Sequence, residues 1–294
     1  MCSKTATPRY ISACSDDPAG LAEALREADA VLVGAGAGLS AAAGLTYSGE
    51  RFQRLFPDFI RAYGITDMYS GGFYPFRTLE ERWAWWSRHV WYNRYQPGSL
   101  PLYAELLKLV QGKDYFVLTS NVDHQFRLAG FPGERLFYMQ GDYGLWQCSV
   151  PCHESTYDNR EPVLRMVREQ KDQRIPSELV PRCPRCGAPM AMNLRCDDTF
   201  VQDEGWFAAN ERYRAFVRDH ASCRLLLLEL GVGYNTPGII KYPFWEMAKK
   251  NPLATYAALN LDTPCIPSQI SGRAFWIRRP MDQSIPALLK LQNA

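Results

Sequence analysis

Residues 30–40 have the sequence AVLVGAGAGLS, and this stretch decides the fold. The four apolar residues 30–33 predict a short, fully buried strand. The glycine-rich segment 34–38 follows at once, and residues 39–43 can begin a helix. Because Ser15-Asp16-Asp17-Pro18 carries the signals of an earlier helix start, the chain is predicted to open as helix, strand, glycine-rich turn and helix.

Buried runs of the same kind recur further along the chain. They lie at residues 115–118, 225–230 and 255–260, and each ends in a polar or glycine-containing turn. Strands that alternate with helical patterns favour an α/β fold, in which a parallel sheet is covered by helices on both faces. In such sheets ligands bind beyond the carboxyl ends of the strands. The turns after these strands are therefore the candidate binding site.

Composition excludes several classes of function. The chain has 294 residues, of which 47% are hydrophobic and 22% charged, as is typical of soluble globular proteins. Its net charge of +2 favours neither a nucleic acid nor an anionic membrane as partner. No apolar run approaches the ~20 residues of a membrane span, and residues 1–10 lack the apolar stretch of a signal peptide. We therefore expect a cytoplasmic protein that binds no nucleic acid and no membrane.

The glycine-rich turn has the features of a phosphate-binding loop. Glycines let a phosphate approach the backbone closely, and the helix that follows offers free N–H groups at its N-terminus. The alternative is a tight turn between strand and helix that binds no ligand. The acidic residue that usually binds the ribose in a dinucleotide-binding fold is not clearly placed, although Glu50 is available.

A second candidate motif, TSNVD at residues 119–123, directly follows a predicted strand. Asn121 and Asp123 place an amide and a carboxylate two residues apart, which can bind a ribose hydroxyl and a carboxamide. The alternative is a helix cap, in which these side chains accept hydrogen bonds from free N–H groups. Without further context, the cap is the better interpretation.

The cysteines predict a metal site. Nine cysteines, an odd number, favour ligands or reduced thiols over a disulfide framework in a cytosolic chain. Cys148 with Cys152 and Cys183 with Cys186 form two close pairs, the spacing of a tetrahedral Zn²⁺ site. Four thiolates close the coordination shell, so the zinc is expected to be structural. His153 adjoins Cys152 and is an alternative ligand, which four cysteines make unnecessary.

Taken in order, these motifs resemble those of the sirtuin family. Thr119 to Asp123 matches the family's TQN-I-D segment, and the four cysteines match its zinc module. Gly231-Val232-Gly233 loosely matches its GTS turn, and Asn260 followed by Asp262 resembles the Asn-x-Glu that holds the adenosine ribose. The family's GAGxSxxxG segment is matched by Gly36, Ala37, Gly38, Leu39, Ser40, Gly44 and Leu45. The resemblance covers about residues 20–290.

Two departures from the family pattern bear on the chemistry. The family's PDFR element is absent, because residues 46–52 have the sequence TYSGERF. Gln140 stands where the family has its catalytic histidine. A glutamine amide can orient a hydroxyl but cannot take its proton near neutral pH, and loss of a general base typically costs ~10²–10⁴-fold in rate. His124 lies one residue after Asp123, but we do not expect it to replace the base.

This variant pattern is similar to the macrodomain-linked, class M sirtuins of microbes. The resemblance implies an NAD-dependent protein ADP-ribosyltransferase that uses NAD as co-substrate, releases nicotinamide and contains structural Zn²⁺. It also implies an acceptor of the lipoyl-carrier type, related to the glycine-cleavage H protein, and a partner macrodomain hydrolase. Three alternatives remain: a protein-lysine deacylase with a substituted base, a catalytically silent NAD-binding sensor or scaffold, and a zinc-ribbon nucleic-acid binder, which the near-neutral charge disfavours.

The resemblance also implies an NAD site. The turn at residues 36–40 holds the pyrophosphate, Asp123 holds the nicotinamide carboxamide, and Asn121 and Gln140 flank the nicotinamide ribose. The implied catalytic residues are Asn121, Gln140 and Asp123. The implied cofactor-binding residues are Gly36, Ala37, Gly38, Ser40, Gly44, Leu45, Tyr47, Ser120, Asn121, Asp123, Gln140, Gly231, Gly233, Asn260 and Asp262.

The expected architecture is a Rossmann-like parallel sheet plus a small lobe. Residues 1–45, 102–144 and 194–294 are expected to form the NAD-binding domain. Residues 46–101 are expected to form a helical insertion, and residues 145–193 a zinc-binding module. The tryptophans of the insertion have helical spacing, which core packing explains better than ligand stacking.

Overall fold

The computed structural model describes residues 10–11, 15–234, 237–263 and 265–292. Most of residues 1–10, where the sequence lacks a signal peptide, therefore lie outside the described residues. Within the described ranges, no helix is both long and apolar enough to cross a membrane.

The described chain contains eleven strands and twelve α-helices, and six of these helices follow one another between β2 and β3. The strands are β1 (Tyr10–Ile11), β2 (Ala30–Ala35), β3 (Asp114–Thr119), β4 (Leu136–Tyr138), β5 (Gly141–Cys148), β6 (Tyr157–Asp158), β7 (Met190–Leu194), β8 (Leu225–Leu230), β9 (Thr255–Leu259), β10 (Ile266–Pro267) and β11 (Ala274–Ile277). The helices are α1 (Pro18–Glu27), α2 (Ala37–Ala42), α3 (Glu50–Leu55), α4 (Pro57–Tyr63), α5 (Met68–Gly72), α6 (Leu79–Val90), α7 (Pro101–Val110), α8 (Gln125–Leu128), α9 (Arg160–Glu169), α10 (Glu204–Asp219), α11 (Lys241–Lys250) and α12 (Met281–Gln292). A π-helix spans Trp91–Tyr95, and 3-10 helices span Gly133–Arg135, Ser177–Leu179 and Ser268–Arg273.

The central sheet has six strands in the order β11-β9-β8-β2-β3-β4, and all neighbours are parallel. β2 lies inside the sheet and all six of its residues are buried, which explains its uniformly apolar sequence. The four predicted strands are confirmed as β2, β3, β8 and β9. The structure adds the two edge strands β4 and β11, which the sequence analysis did not predict.

Helices cover both faces of this sheet. Val31 and Val33 of β2 point into a core shared with α1, α7 and α12. Ala30 and Leu32 point into a second core, shared with α10 and α11. This division follows from the alternation of side chains along a strand. The predicted α/β class, with helices on both faces of a parallel sheet, is therefore confirmed.

A third apolar core joins the aromatic helices to a small antiparallel sheet with the order β6-β5-β7. Trp83 of α6 packs edge-on against Trp146 of β5, with ring centroids 5.0 Å apart. Trp85 and Trp86 are buried in the same core, so the predicted core packing of these three tryptophans is confirmed. The proposed domain boundaries stay a prediction, and the one at residue 144 would fall inside β5.

A buried ion pair joins β8 to α11. Lys241 Nζ donates a hydrogen bond to Glu229 Oε1, and Tyr256 Oη donates to Glu229 Oε2 over 2.7 Å. Both charged side chains are 0% exposed, and Lys241 Nζ lies 5.2 Å from the ring centres of Tyr234 and Trp276. Burial raises the pKa of Glu229. A charge is tolerated at such depth only when it is paired, so this contact ties β8 to the first residue of α11.

Candidate functional site

The glycine-rich turn packs directly against the turn that follows β8. Gly36 N–H donates to Leu230 O over 2.9 Å, and Gly38 N–H donates to Gly231 O over 3.0 Å. A Cβ at Gly36 would lie 2.7 Å from Gly231 O, and one at Gly38 would lie 2.8 Å from Gly231 Cα. Glycine at both positions is therefore required by backbone packing. Because Gly38 N–H is already bonded, it is not free for a phosphate, and phosphate binding by this turn stays a prediction.

Asp123 lies in a buried network of hydroxyl groups. Ser40 Oγ donates to Asp123 Oδ2 and lies 2.9 Å from Tyr103 Oη. Asp123 Oδ1 accepts the Gln125 N–H over 3.0 Å. Burial raises the pKa of Asp123, although its bonds to Ser40 and Gln125 act in the opposite direction. The network brings together two motifs that are 83 residues apart in the sequence.

Asn121 ties the turn after β3 to the glycine-rich turn. Its Nδ2 donates to Gly36 O over 3.0 Å, and its backbone N–H donates to Thr119 Oγ1 over 3.0 Å. Asn121 is buried. The bond between Asp123 and Gln125 resembles the helix cap considered from the sequence, but the Asn121 side chain bonds to the glycine-rich turn instead. The Asn121 and Asp123 side chains are thus both held at the carboxyl end of the sheet.

Gln140 lies in the turn between β4 and β5, and its side chain is half-buried. Its backbone carbonyl accepts the Arg195 N–H over 3.1 Å. Trp206 Nε1 donates to Met139 O over 3.2 Å, so α10 also supports this turn. Among the described residues, no hydrogen bond to the Gln140 amide is formed. That amide remains available to a ligand.

His124 and Asp142 form a contact that the sequence analysis missed. His124 Nδ1 lies 2.7 Å from Asp142 Oδ2, and Arg94 Nε donates to Asp142 Oδ1 over 2.8 Å. Burial alone would raise the pKa of Asp142, but the contacts with His124 and Arg94 outweigh it and lower the pKa to about 2. Asp142 is therefore ionised at neutral pH. The sequence places Asp142 two residues after Gln140, but no motif pairs it with His124.

The segment that replaces the family's PDFR element is anchored to the small lobe. Arg51 donates to Tyr92 O over 2.7 Å and to Asn93 Oδ1 over 2.9 Å. Tyr47 Oη lies 2.8 Å from Tyr143 Oη in β5. Burial raises the pKa of Tyr47, which therefore stays a neutral phenol. The segment is held by bonds to two different parts of the lobe.

Asn260 uses its amide within the protein. Its Nδ2 donates to Val232 O over 3.0 Å, and its Oδ1 accepts the Asp262 N–H over 3.2 Å. Asp262 and Gly233 are exposed. Asn260 thus joins the turns that follow β8 and β9, and its implied contact with an adenosine ribose stays a prediction.

The other implied cofactor residues surround these contacts. Ser120 N–H donates to Ala35 O over 3.0 Å, and the N–H of buried Leu45 donates to Ser40 O over 2.9 Å. Gly44 has a φ of +102°, in the region that favours glycine. Ala37 is the exposed first residue of α2. Their roles toward NAD stay predictions.

The four predicted cysteine ligands meet in one cluster. Their Sγ atoms all lie within 4.8 Å of one another, with 3.5 Å between Cys148 and Cys186 and 3.7 Å between Cys152 and Cys183. A Zn–S distance of ~2.3 Å in a tetrahedron places the sulfurs about 3.8 Å apart. The cluster therefore fits a zinc ion. His153 lies beside this group, with Nδ1 3.0 Å from Cys152 Sγ and Nε2 2.7 Å from Tyr157 Oη.

Two named proteins are similar to this chain. The protein ADP-ribosyltransferase of Staphylococcus aureus (strain Mu50 / ATCC 700699) is 39% identical over 285 residues, which cover 95% of this chain and 90% of that protein. The probable bifunctional ADP-ribose hydrolase/ADP-ribosyltransferase of Fusarium oxysporum f. sp. cubense is 36% identical over 267 residues, which cover 83% of this chain and 42% of that protein. No protein-family model matches the chain.

Solved structures share the fold at lower identity. A Sir2 homolog in complex with NAD superposes with a TM-score of 0.62 and 15% identity, over 93% of each chain. A second Sir2 structure gives a TM-score of 0.58 and 18% identity, over 95% of this chain and 98% of the other. At such identities the likeness establishes a common architecture.

Proposed function

Because the chain belongs to the family of sirtuin-type protein ADP-ribosyltransferases, we propose that it transfers ADP-ribose from NAD to an acceptor protein and releases nicotinamide. The observation that carries this proposal is the 39% identity to a protein ADP-ribosyltransferase over 95% of the chain. The site is consistent with it, since the carboxyl ends of β2 and β3 carry amide, hydroxyl and carboxyl side chains, of which Asn121 and Asp123 are buried and hydrogen-bonded.

In the proposed complex, NAD lies across the crevice at the carboxyl ends of β2 and β3. Asp123 holds the nicotinamide carboxamide, and Asn121 and Gln140 flank the nicotinamide ribose. The Asn121 side chain is preorganised to contact the ribose, because its bond to Gly36 O over 3.0 Å fixes it before NAD binds. Preorganised dipoles of this kind need no rearrangement when charge develops on the sugar.

The proposed reaction needs no histidine base. The bond between the anomeric carbon and nicotinamide breaks, its electron pair passes to the nicotinamide nitrogen, and a cation-like sugar forms. Fixed dipoles and the exclusion of water stabilise that sugar. An acceptor carboxylate is already ionised at neutral pH, so it can attack the anomeric carbon without losing a proton. Gln140 then orients the ribose and moves no proton.

The proposed acceptor is a protein of the lipoyl-carrier type. We further propose that a macrodomain hydrolase reverses the modification. The Fusarium oxysporum relative supports this second proposal, because its name combines an ADP-ribose hydrolase with an ADP-ribosyltransferase and this chain matches 42% of its length. The four-cysteine cluster would hold Zn²⁺ as a structural ion, and a cytoplasmic location remains our expectation.

The proposal is tested by the mass of the acceptor. Incubation of the enzyme with NAD and a lipoyl-carrier protein is expected to add one ADP-ribose to the acceptor and to release one nicotinamide for each modification. Reactions without NAD and without enzyme are the controls. Release of nicotinamide with an unchanged acceptor would contradict this acceptor class. Binding of NAD without any nicotinamide release would favour the sensor or scaffold alternative.

Substitution of Gln140 separates the transferase from the deacylase alternative. Gln140→Ala is expected to slow transfer roughly 10-fold, because the ribose loses one hydrogen-bonding partner. Gln140→His restores a titratable group, yet we expect little deacetylation, because the family's PDFR element is absent and Arg51 and Tyr47 anchor the segment that replaces it to the small lobe.

The measurement is deacetylation of an acetyl-lysine peptide by the wild type and both Gln140 variants, alongside transfer to a protein acceptor. Robust deacetylation by the wild type, with a pH profile that follows a group near ~6.5, would favour the deacylase. It would also show that a residue other than Gln140 serves as base.

A further inference from the structure

One imidazole contacts both sides of the turn that carries Gln140. The His124 ring lies parallel to the Tyr138 ring, with centroids 4.8 Å apart and an interplanar angle of 9°. At the edge of the same ring, His124 Nδ1 lies 2.7 Å from Asp142 Oδ2. Tyr138 precedes Gln140 by two residues and Asp142 follows it by two. His124 therefore spans the turn from the end of β4 to the start of β5.

Asp142 and the backbone of His124 are each held in place by further contacts. Asp142 Oδ1 accepts from Arg94 Nε over 2.8 Å and from Gly144 N–H over 2.6 Å. Arg94 belongs to the π-helix Trp91–Tyr95, which contributes to the third core. The backbone of His124 directly follows Asp123, whose carboxylate is bonded to Ser40. The ring thus connects the turn after β3 to the turn that carries Gln140.

The backbone of His124 indicates that its side chain is needed there. Its φ is +66° and its ψ is +17°, in the left-handed region. Non-glycine residues are uncommon in that region, and strained backbone of this kind persists where the surroundings determine it, often at functional sites. A glycine would relieve the strain but would lose the contacts with Tyr138 and Asp142.

From these contacts we infer that His124 is a positioning residue, which sets the Gln140 amide relative to Asn121. The kinetic part of this inference rests on the proposed function. The competing role is acid–base catalysis through Nε2, since the His124 side chain is 25% exposed. The two roles differ in the nitrogen that they need, because positioning uses Nδ1 and acid–base catalysis would use Nε2.

A pair of substitutions at His124 distinguishes these nitrogens. His124→Ala is expected to lower kcat for nicotinamide release ~10–100-fold with little change in the KM for NAD, because a shift of ~1 Å in a reacting geometry can cost 10²-fold. His124→Asn places an amide nitrogen near the position of Nδ1 and tolerates the left-handed backbone, so it should recover most of that loss.

A second readout does not depend on activity. Amide hydrogen exchange at residues 139–143 is expected to be faster in His124→Ala than in wild type and near wild type in His124→Asn. His220→Ala is the matched control, because it removes another His–Asp contact, 3.2 Å from Nε2 to Asp114 Oδ2 at the opposite end of β3. It should change neither exchange at residues 139–143 nor kcat.

Two results would overturn the inference. If His124→Asn is as slow as His124→Ala although its exchange at residues 139–143 is near wild type, Nε2 performs acid–base chemistry and His124 is catalytic. If His124→Ala keeps wild-type kcat and exchange, the ring does not position the turn. If the wild type releases no nicotinamide, the proposed function fails instead, and the exchange measurement alone then decides whether His124 holds the turn.

Discussion

Asn121→Ala is expected to lower the rate of ADP-ribose transfer at least ~100-fold while the protein stays folded. The Asn121 amide lies beside the proposed ribose position and is fixed by its bond to Gly36 O over 3.0 Å. Alanine removes the group that orients the sugar, and loss of a preorganised dipole typically costs ~10²–10³-fold in kcat. The measurement is nicotinamide release at saturating NAD, together with the mass of the acceptor.

Asn251→Ala provides the matched control for loss of stability. Asn251 is 4% exposed, and its Nδ2 donates to Cys223 O over 2.9 Å, just before the start of β8 and at the end of the strands opposite to the proposed site. Asn121→Ala leaves the buried Gly36 carbonyl without this partner, and Asn251→Ala does the same to the partly buried Cys223 carbonyl. Such a loss costs up to ~1–3 kcal/mol of unfolding free energy. Only Asn121→Ala should lose activity per folded molecule. If folded Asn121→Ala releases nicotinamide at the wild-type rate, Asn121 does not belong to the site.

Cys183→Ser is expected to abolish zinc binding and the folding of the lobe around it. Cys148 and Cys183 are buried in the third core, next to the aromatic side chains of α6 and β5. Zinc binding contributes ~10–16 kcal/mol to the folding of small zinc-finger peptides, while whole domains are stable by only ~5–15 kcal/mol. Loss of one thiolate should therefore lower metal content and the yield of folded protein together.

Metal analysis and thermal unfolding test this expectation. The wild type should contain one zinc ion per chain, and a chelator should lower its midpoint of unfolding. Cys223→Ser is the control, because this thiol lies outside the four-cysteine cluster. His153→Ala should retain zinc, since four cysteines already supply a complete ligand set. Well-folded wild-type protein without zinc would rule out the structural ion.

The central sheet could be predicted because its signals are local. The apolar run at the start of β2 and the glycines after it lie within one short segment. The metal cluster could be predicted for the same reason, because the spacing of the paired cysteines is visible in the sequence. β4 was missed because it is a strand of only three residues, too short for a periodic pattern.

Other features depend on contacts that only the fold creates. The sequence could not reveal that Gly231 packs on Gly36 and Gly38, so these glycines were explained by a phosphate or by a tight turn between strand and helix. The contact of His124 with Asp142 joins the ends of two different strands, and nothing in the spacing of the two residues predicts it. The same holds for Asn260, whose amide was assigned to a ribose and which the structure shows bonded to Val232.

The buried pair of Lys241 and Glu229 constrains how this protein can diverge. Loss of either partner alone leaves an uncompensated charge in the interior, which typically costs ~3–5 kcal/mol, whereas replacement of both by apolar residues of similar volume is often neutral. The effects of substitutions at the two sites are therefore not additive. During evolution, both charges can be replaced only through a destabilising single substitution or through two simultaneous substitutions. A single-site mutational scan would score both positions as intolerant, while a library that randomises them jointly would recover functional apolar pairs.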